Sequence, residues 1–213
     1  MIKIRFSTDS GKNWTLISHD EYTGHMAAGL SPTSIIQFID EGKRPHREDG
    51  GPAITYGNGR KEWKEHGVFK NVGDPLAPTM VDGENNHYFH RFGVLHSATE
   101  PSVIRKDGSK EYYWMGSKGR PDDLPSVELV NGTKMWYESD KISRPGGKPA
   151  ILHKTGTSEY LEGGLRHRVD GPALENQDPR KDKYYLFGVQ YSKEEHASRV
   201  KEMCAVGMLH VPF

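Results

Sequence analysis

His46-Arg47-Glu48-Asp49-Gly50-Gly51-Pro52-Ala53-Ile54-Thr55-Tyr56-Gly57-Asn58-Gly59-Arg60-Lys61-Glu62-Trp63 runs from a charged cluster through Gly-Pro into strand formers and back out through Asn-Gly. Nearly everything downstream is a worn copy of it. The best-preserved echo is His167-Arg168-Val169-Asp170-Gly171-Pro172-Ala173-Leu174. Prolines recur at Pro52, Pro75, Pro101, Pro125, Pro149 and Pro172, and turn glycines at Gly59, Gly83, Gly108, Gly132 and Gly156, with Pro179 in the last place. Aromatics follow at Trp63, Tyr88, Tyr112, Trp136, Tyr160 and Tyr184. Neighbouring prolines lie 23, 26, 24, 24 and 23 residues apart, so the unit is about two dozen residues, as in known repeat arrays. Six copies predict one array over 42–190, flanked by a cap at 1–41 and another at 191–213.

Within each copy the spacing reads as a β-hairpin. Asn58-Gly59, Asp82-Gly83, Asp107-Gly108, Asn131-Gly132 and Thr155-Gly156 sit between strand-like runs, and Asn-Gly or Asp-Gly suits a type I′ turn, where both residues need positive φ. Counting outward from such a turn, Ile54 faces Trp63, Val103 faces Tyr112, Val127 faces Trp136 and Ile151 faces Tyr160, each a β-branched residue against an aromatic. On the other face Ala53 meets Lys64, Ser102 meets Tyr113, Ser126 meets Tyr137 and Ala150 meets Leu161. A one-residue slip would undo these matches in every copy. Copy two carries an extra proline in Gly73-Asp74-Pro75-Leu76-Ala77-Pro78, which predicts a bulge or widened loop. Copy six replaces its turn with Asp178-Pro179 before the charged run Arg180-Lys181-Asp182-Lys183, which predicts a tip held in solvent.

The flanks do not follow the repeat. Met1 to Ser7 alternates apolar and polar, Asp9-Ser10-Gly11-Lys12 is turn chemistry, and Trp14 to Ser18 is rich in strand formers, so 1–18 predicts a hairpin. After Ser31-Pro32, the run Ser34 to Asp40 predicts a short helix stopped by Gly42. Ser192-Lys193-Glu194-Glu195 is a capping box that predicts a helix from Lys193 to Ala205, with Ala197, Val200, Met203 and Cys204 on its packed face. The tail Met208 to Phe213 is apolar enough to dock. The fold class expected is mainly β: about six antiparallel hairpins in an extended or curled sheet, with a hairpin and short helix before it and a capping α-helix after it. Atypical ends of this kind cover an array's open edges.

Acidic and basic residues balance at 29 each, so no global field points to nucleic acid or an anionic membrane. Hydrophobic residues make up 34% and mean hydropathy is -0.78, poor for a thick core but suited to a thin array whose units touch only their neighbours. Cys204 is the single cysteine, which rules out an intramolecular disulfide and points to a reducing, cytoplasmic setting. No apolar run approaches the length of a membrane span or a signal-peptide core, so no membrane partner is expected.

The string His-Arg-Glu-Asp-Gly-(Gly)-Pro-Ala, followed by Asn-Gly and then Trp, resembles the MORN-like repeat of tandem HREDGPA proteins, many of them from tailed bacteriophages and large DNA viruses. The resemblance covers roughly 42–188, tight at copies one and six and loose between, where the His-Arg pair is lost. It implies a sheet of successive β-hairpins, a viral or bacterial source, hence the host cytoplasm if viral, and a binding module for proteins or, in MORN proteins, sometimes lipids. It implies no particular activity.

His46, Arg47 and Asp49, with His167, Arg168 and Asp170, could be two copies of a ligand site. The framework reading is stronger: an Asp before Gly-Pro caps a turn with its own carboxylate, and a nearby Arg pairs with that carboxylate across the repeat interface. Pro52, Trp63, Trp136 and Pro172 belong to the same framework. His87, His90 and His96 match neither one helix face nor a standard ligand motif, so no metal and no cofactor is assigned. No phosphate loop, triad elbow or paired helical ligands are present, Cys204 reads as a small hydrophobe of the capping helix, and no catalytic residue is assigned. Tyr88, Tyr113, Tyr137 and Tyr185 are the candidate binding row, because rings on a sheet can stack on bases or anchor a protein, although the same row could be core. Lys61, Lys64, Arg105, Lys106 and Lys110 alternate with Glu62, Glu65 and Glu111, a solvated edge rather than a nucleic-acid track. The function expected is a non-enzymatic repeat protein that binds a macromolecular partner, such as a host protein of antiviral defence. The alternative is a protein that sequesters a small nucleotide ligand in a groove of tyrosines and arginines.

Overall fold

The computed structural model describes residues 1–70, 76–97 and 99–207, in two compact bodies, Met1–Gly116 and Ser117–Phe213. The first opens with the predicted hairpin, β1 (Lys3–Ser7) and β2 (Thr15–Ile17). Its turn is locked by Asp9, which accepts from the Asn13 backbone at 2.9 Å and from Ser7 Oγ at 2.7 Å. These bonds, the Asn13 amide first, hold the Asp9 carboxyl down at about 2.

The helix of the N-terminal cap lies earlier than expected, and a strand takes its expected place. Ser18 and Glu21 close a reciprocal capping box, and helix α1 runs His19–Ala28. The expected helix at Ser34 to Asp40 is instead strand β3 (Ile35–Ile39). Its residues Ile36, Gln37, Phe38 and Ile39 are buried in succession, on both faces, and β3 pairs with β1 on one side and with β4 (Ile54–Tyr56) on the other. A short run buried on both faces has no period that separates strand from helix. Helix α1 sets Tyr22 edge-on against Phe38, centroids 5.1 Å apart, and stacks His25 on Phe6 at 4.1 Å. It therefore covers a sheet face, while β2 stays outermost with Leu16 63% exposed.

From β4 the first body meanders through β5 (Lys61–Glu62), Met80–Val81, His87–Tyr88, Val103–Ile104 and Lys110–Glu111, each antiparallel to the one before. The second body repeats the pattern with Val127–Glu128, Lys134–Met135, Ile151–Leu152, Ser158–Glu159 and Leu174–Glu175. The mainly β, antiparallel-hairpin expectation holds in both.

The turns and the register need correction. Gly59 has φ 91°, but Asn58 is not among the positive-φ residues. Gly59 N donates to Tyr56 O at 3.0 Å and Tyr56 N to Arg60 O at 2.9 Å, which is a type I turn followed by a left-handed residue, a three-residue loop. Arg105 to Ser109, Leu129 to Thr133 and His153 to Thr157 close in the same way. The third loop residue moves the pairing by one, so Ile54 faces Glu62, Val103 faces Glu111, Val127 faces Met135 and Ile151 faces Glu159. Each aromatic instead backs the small residue of the next copy: Trp63 N donates to Thr79 O, Phe89 N to Ser102 O, Trp136 N to Ala150 O and Tyr160 N to Ala173 O, all at 2.8 Å. A bulge recurs from copy to copy. Thr79 N, Ser102 N, Ser126 N and Ala150 N each donate to the carbonyl opposite the following residue, those of Tyr88, Glu111, Met135 and Glu159.

In copy two the repeat positions are Pro78, Thr79, Asn85 and Phe89, in place of Pro75, Gly83 and Tyr88. Asn85 takes the left-handed turn position with φ 66°, and its N–H donates to Asp82 O at 3.0 Å. Gly73, Asp74 and Pro75 of the expected widened loop, and the docking tail from Met208, lie outside the described residues.

Each copy also carries a second, shorter hairpin that spacing did not reveal. In the first body these are Lys64–Glu65 with Val68–Phe69 and His90–Arg91 with Val94–Leu95. In the second they are Tyr137–Glu138 with Lys141–Ile142, Leu161–Glu162 with Leu165–Arg166, and Tyr184–Leu186 with Val189–Tyr191. Here sit the true type I′ turns: His66-Gly67, Phe92-Gly93, Met115-Gly116, Ser139-Asp140, Gly163-Gly164 and Phe187-Gly188 all have positive φ at both residues.

Helix α2 (Lys193–Ala205) begins at the predicted capping box. Its inward residue is His196, 4% exposed, whose Nε2 lies 2.7 Å from Arg168 O. Val200, Met203 and Cys204 are half-buried, but Ala197 is exposed. The copy-six tip is a 3-10 turn, Pro179–Lys181, with the Arg180 side chain 90% exposed. Among the described residues no helix is long and apolar enough to cross a membrane.

Candidate functional site: the ridge of hairpin tips

The repeat motif is fully occupied in holding copies together. His46 Nδ1 accepts from His66 N at 3.3 Å, His96 Nδ1 from Met115 N at 3.1 Å and His167 Nδ1 from Phe187 N at 3.2 Å. Each histidine thus fastens the first residue of the type I′ turn 19 or 20 residues further on, and in copy five Ser143 Oγ accepts from Gly163 N. Because the backbone N–H must donate, Nδ1 carries no proton in these rings. The rings also stack: His46 on His66 and His167 on Phe187, both with centroids 4.1 Å apart.

The arginines act in the same way. Arg47, Arg144 and Arg168 each donate to the carbonyl of the motif proline, Pro52, Pro149 or Pro172, at 3.3 Å. Each guanidinium also lies about 4 Å over a ring, Phe38, Trp136 or Tyr160. Arg47 pairs with Asp49 and Arg168 with Asp170, two residues away inside the same loop rather than across a repeat interface. Asp49 also caps its turn as expected, accepting from Gly51 N at 3.0 Å. Trp63 and Trp136 donate through Nε1 to Gly50 O and Asp123 O.

The four tyrosines do not share one row. Tyr88 lies in the long sheet, while Tyr113, Tyr137 and Tyr185 occupy short-hairpin positions equivalent to Lys64; all four are half-buried. Three hydroxyls are spent internally, on Asp82 at 2.8 Å, Glu111 at 2.9 Å and Gln190 at 2.8 Å, and the Lys118 ammonium lies 5.1 Å from the centre of the Tyr137 ring. Sequence reading missed the burial of carboxylates at equivalent positions of their copies, Glu62 and Glu111 in the first body and Glu159 in the second. Glu62 accepts from Tyr56 Oη at 3.1 Å and pairs with Lys64 Nζ at 2.7 Å. Burial, reinforced by Glu62, pushes the Tyr56 phenol up to about 12. His87, His90 and His96 do not converge. His87 pairs with Val81 in the long sheet, His90 meets Thr79 Oγ1 at 2.7 Å and stacks on Phe69, and His96 is one of the latch histidines. Among the described residues no group of three His, Cys, Asp or Glu side chains could hold a metal ion.

The type I′ tips present a run of exposed apolar side chains. In the first body Val68 is 51%, Phe92 83%, Val94 37%, Trp114 48% and Met115 56% exposed; in the second Leu165 is 51%, Phe187 49% and Val189 54%. The tips are contiguous within each body: a methyl added at Gly93 would sit 3.6 Å from Val68 Cγ1, one at Gly116 3.6 Å from Val94 Cβ, and one at Gly188 3.3 Å from Leu165 Cδ2. Phe92, Met115 and Phe187 hold φ of 54°, 49° and 48°. That conformation favours glycine or asparagine and is an outlier for bulky side chains. A signal for this site was present in the sequence, the second glycine series Gly67, Gly93, Gly116, Gly164 and Gly188.

A groove of 580 Å³ in the second body is lined by Arg144, Lys148, Tyr160, His167 and Arg168, but its cations are committed to Asp123, Asp170 and Glu175. No protein family, curated protein or solved structure matches the chain.

Proposed function

We propose that this is a non-enzymatic repeat protein that binds another protein through the ridge of hairpin tips. The supporting observation is the chemistry at Phe92, Met115 and Phe187: large apolar side chains in left-handed backbone, about half or more exposed. Such residues cost stability where asparagine would not, and backbone strain persists where it serves a function. Exposed aromatic and methionine side chains are the residues that anchor protein interfaces. The motif histidines serve this surface by fastening the turns at His66, Met115 and Phe187. The repeat resemblance supports a viral protein acting on a host partner. The small-nucleotide reading ranks below, because the groove that would serve it has its cations paired.

The test is affinity capture from bacterial lysate with wild type and with Phe92→Asn/Met115→Asn. A stoichiometric protein recovered by wild type and lost with the variant supports the reading; equal recovery by both contradicts it.

A further inference from the structure

Resting on that reading, we infer that the occupant of the first body's ridge is a protein segment that joins bulky apolar side chains to carboxylates. Val68, Phe92, Val94, Trp114 and Met115 supply the apolar half of the match. The charge half comes from the same edge, where one cation is unpaired and a second, though paired, faces outward, in a chain that is neutral as a whole. Arg91 directly precedes Phe92, is exposed, and has no carboxylate partner among the described residues. Arg44 packs its Cβ 3.7 Å from where a Cβ on Gly67 would lie, and its side chain is 58% exposed. Its partner Asp40 is only 10% exposed, so the pair presents the guanidinium outward. Lys70, 57% exposed, stands beyond Val68 and Phe69. A segment that lays apolar side chains over the tips brings its flanking groups beside Arg91 and Arg44. Carboxylates there gain attraction, and lysines or arginines are repelled, so charge sets specificity while the apolar tips hold the segment. An anionic membrane is the poorer match, since surface binding by charge draws on clusters of four to eight basic residues, and two of these three cations are already paired.

Selection of a displayed random dodecapeptide library on the immobilised full chain tests this. Peptides enriched on wild type should carry aromatic or long aliphatic residues together with Asp or Glu. Their binding should fall about tenfold on Phe92→Asn/Met115→Asn and about threefold on Arg91→Glu, and should weaken with salt. The Asn variant keeps its fold because asparagine suits both turns. Enriched peptides that are neutral or basic, or unmoved by Arg91→Glu, overturn the proposed chemistry and leave the ridge standing. Acidic peptides that bind the Asn variant as well as wild type overturn both. The absence of any enriched peptide, or co-sedimentation of the protein with phosphatidylserine/phosphatidylcholine vesicles that the Asn variant abolishes, overturns the assignment of a protein segment.

Discussion

Arg144 reaches back 21 residues to grip Asp123 through two hydrogen bonds, at 2.7 and 2.9 Å, the fork that Arg47 closes on Asp49 two residues away. Copy five has Gly146 and Gly147 where the other loop has its carboxylate, and the preceding copy supplies the missing charge. Arg144, with Lys148 beside it, holds the Asp123 carboxyl well below the usual carboxylate range. The arginine's position is kept because it also stacks on Trp136 and donates to Pro149 O.

Arg144→Leu is therefore expected to lower the stability of the protein by about 1–3 kcal/mol, from the lost ring contact and charge-assisted hydrogen bonds. Asp123→Asn acts in the same direction. Thermal melting of both single variants and the double variant checks this, and the double should cost less than the sum, since both remove one pair.

Gly57 is held by space and not by φ. A Cβ there would fall 1.7 Å from Ser31 O, against backbone that cannot yield. Gly57→Ala is expected to cost about 3 kcal/mol or more. Gly146→Ala, at φ 81° in open space, should cost about 1 kcal/mol. Denaturant melts that rank the two in the opposite order would contradict the packing described.

Phe92→Asn is expected to stabilise the free protein by about 0.5–1 kcal/mol, because asparagine accepts left-handed backbone that phenylalanine resists. A rise in Tm together with lost partner capture is the signature of a side chain kept for binding.

Acid should loosen the first body before its carboxylates titrate. Burial, partly offset by Glu62, lowers His90 to about 4 from an ordinary value near 6.5. A depressed histidine is neutral in the fold and protonated in the unfolded chain between those values, so the unfolded state binds more protons and stability falls as pH drops from 6.5 toward 4. His167, lowered chiefly by burial, adds to the same trend in the second body. Tm measured from pH 7 to 4.5 should decline, and His90→Phe, which keeps a ring against Phe69, should flatten part of the decline.

The hairpins and the helix at Lys193 were legible because they are written in local chemistry, Asx-Gly turns and a Ser-x-x-Glu box. Register was not, because Asn58-Gly59 serves a two-residue or a three-residue loop equally well. The choice is made by the Gly59 N to Tyr56 O bond, and it moves every aromatic by one place. Copy two misled for a similar reason: Gly83 is structurally Gly57, not Gly59, and the left-handed residue is Asn85. Buried Glu62 and Glu111 looked like solvated edge because Lys61, Lys64, Arg105 and Lys110 lie around them in sequence, and it is Arg60 and Lys64 beside Glu62, and Arg105 beside Glu111, that make their burial tolerable. The ridge was not legible because its marker is a glycine after a residue as unlike a turn former as Phe92.

Hydrogen exchange on the protein with and without its captured partner tests the central claim most directly. The account predicts slowed exchange at the short hairpins of one or both bodies, around His66 to Phe69, His90 to Leu95 and Tyr113 to Gly116, or around Leu165 and Phe187 to Val189. Slowing confined to the long-sheet strands, with the tips unchanged, would contradict it.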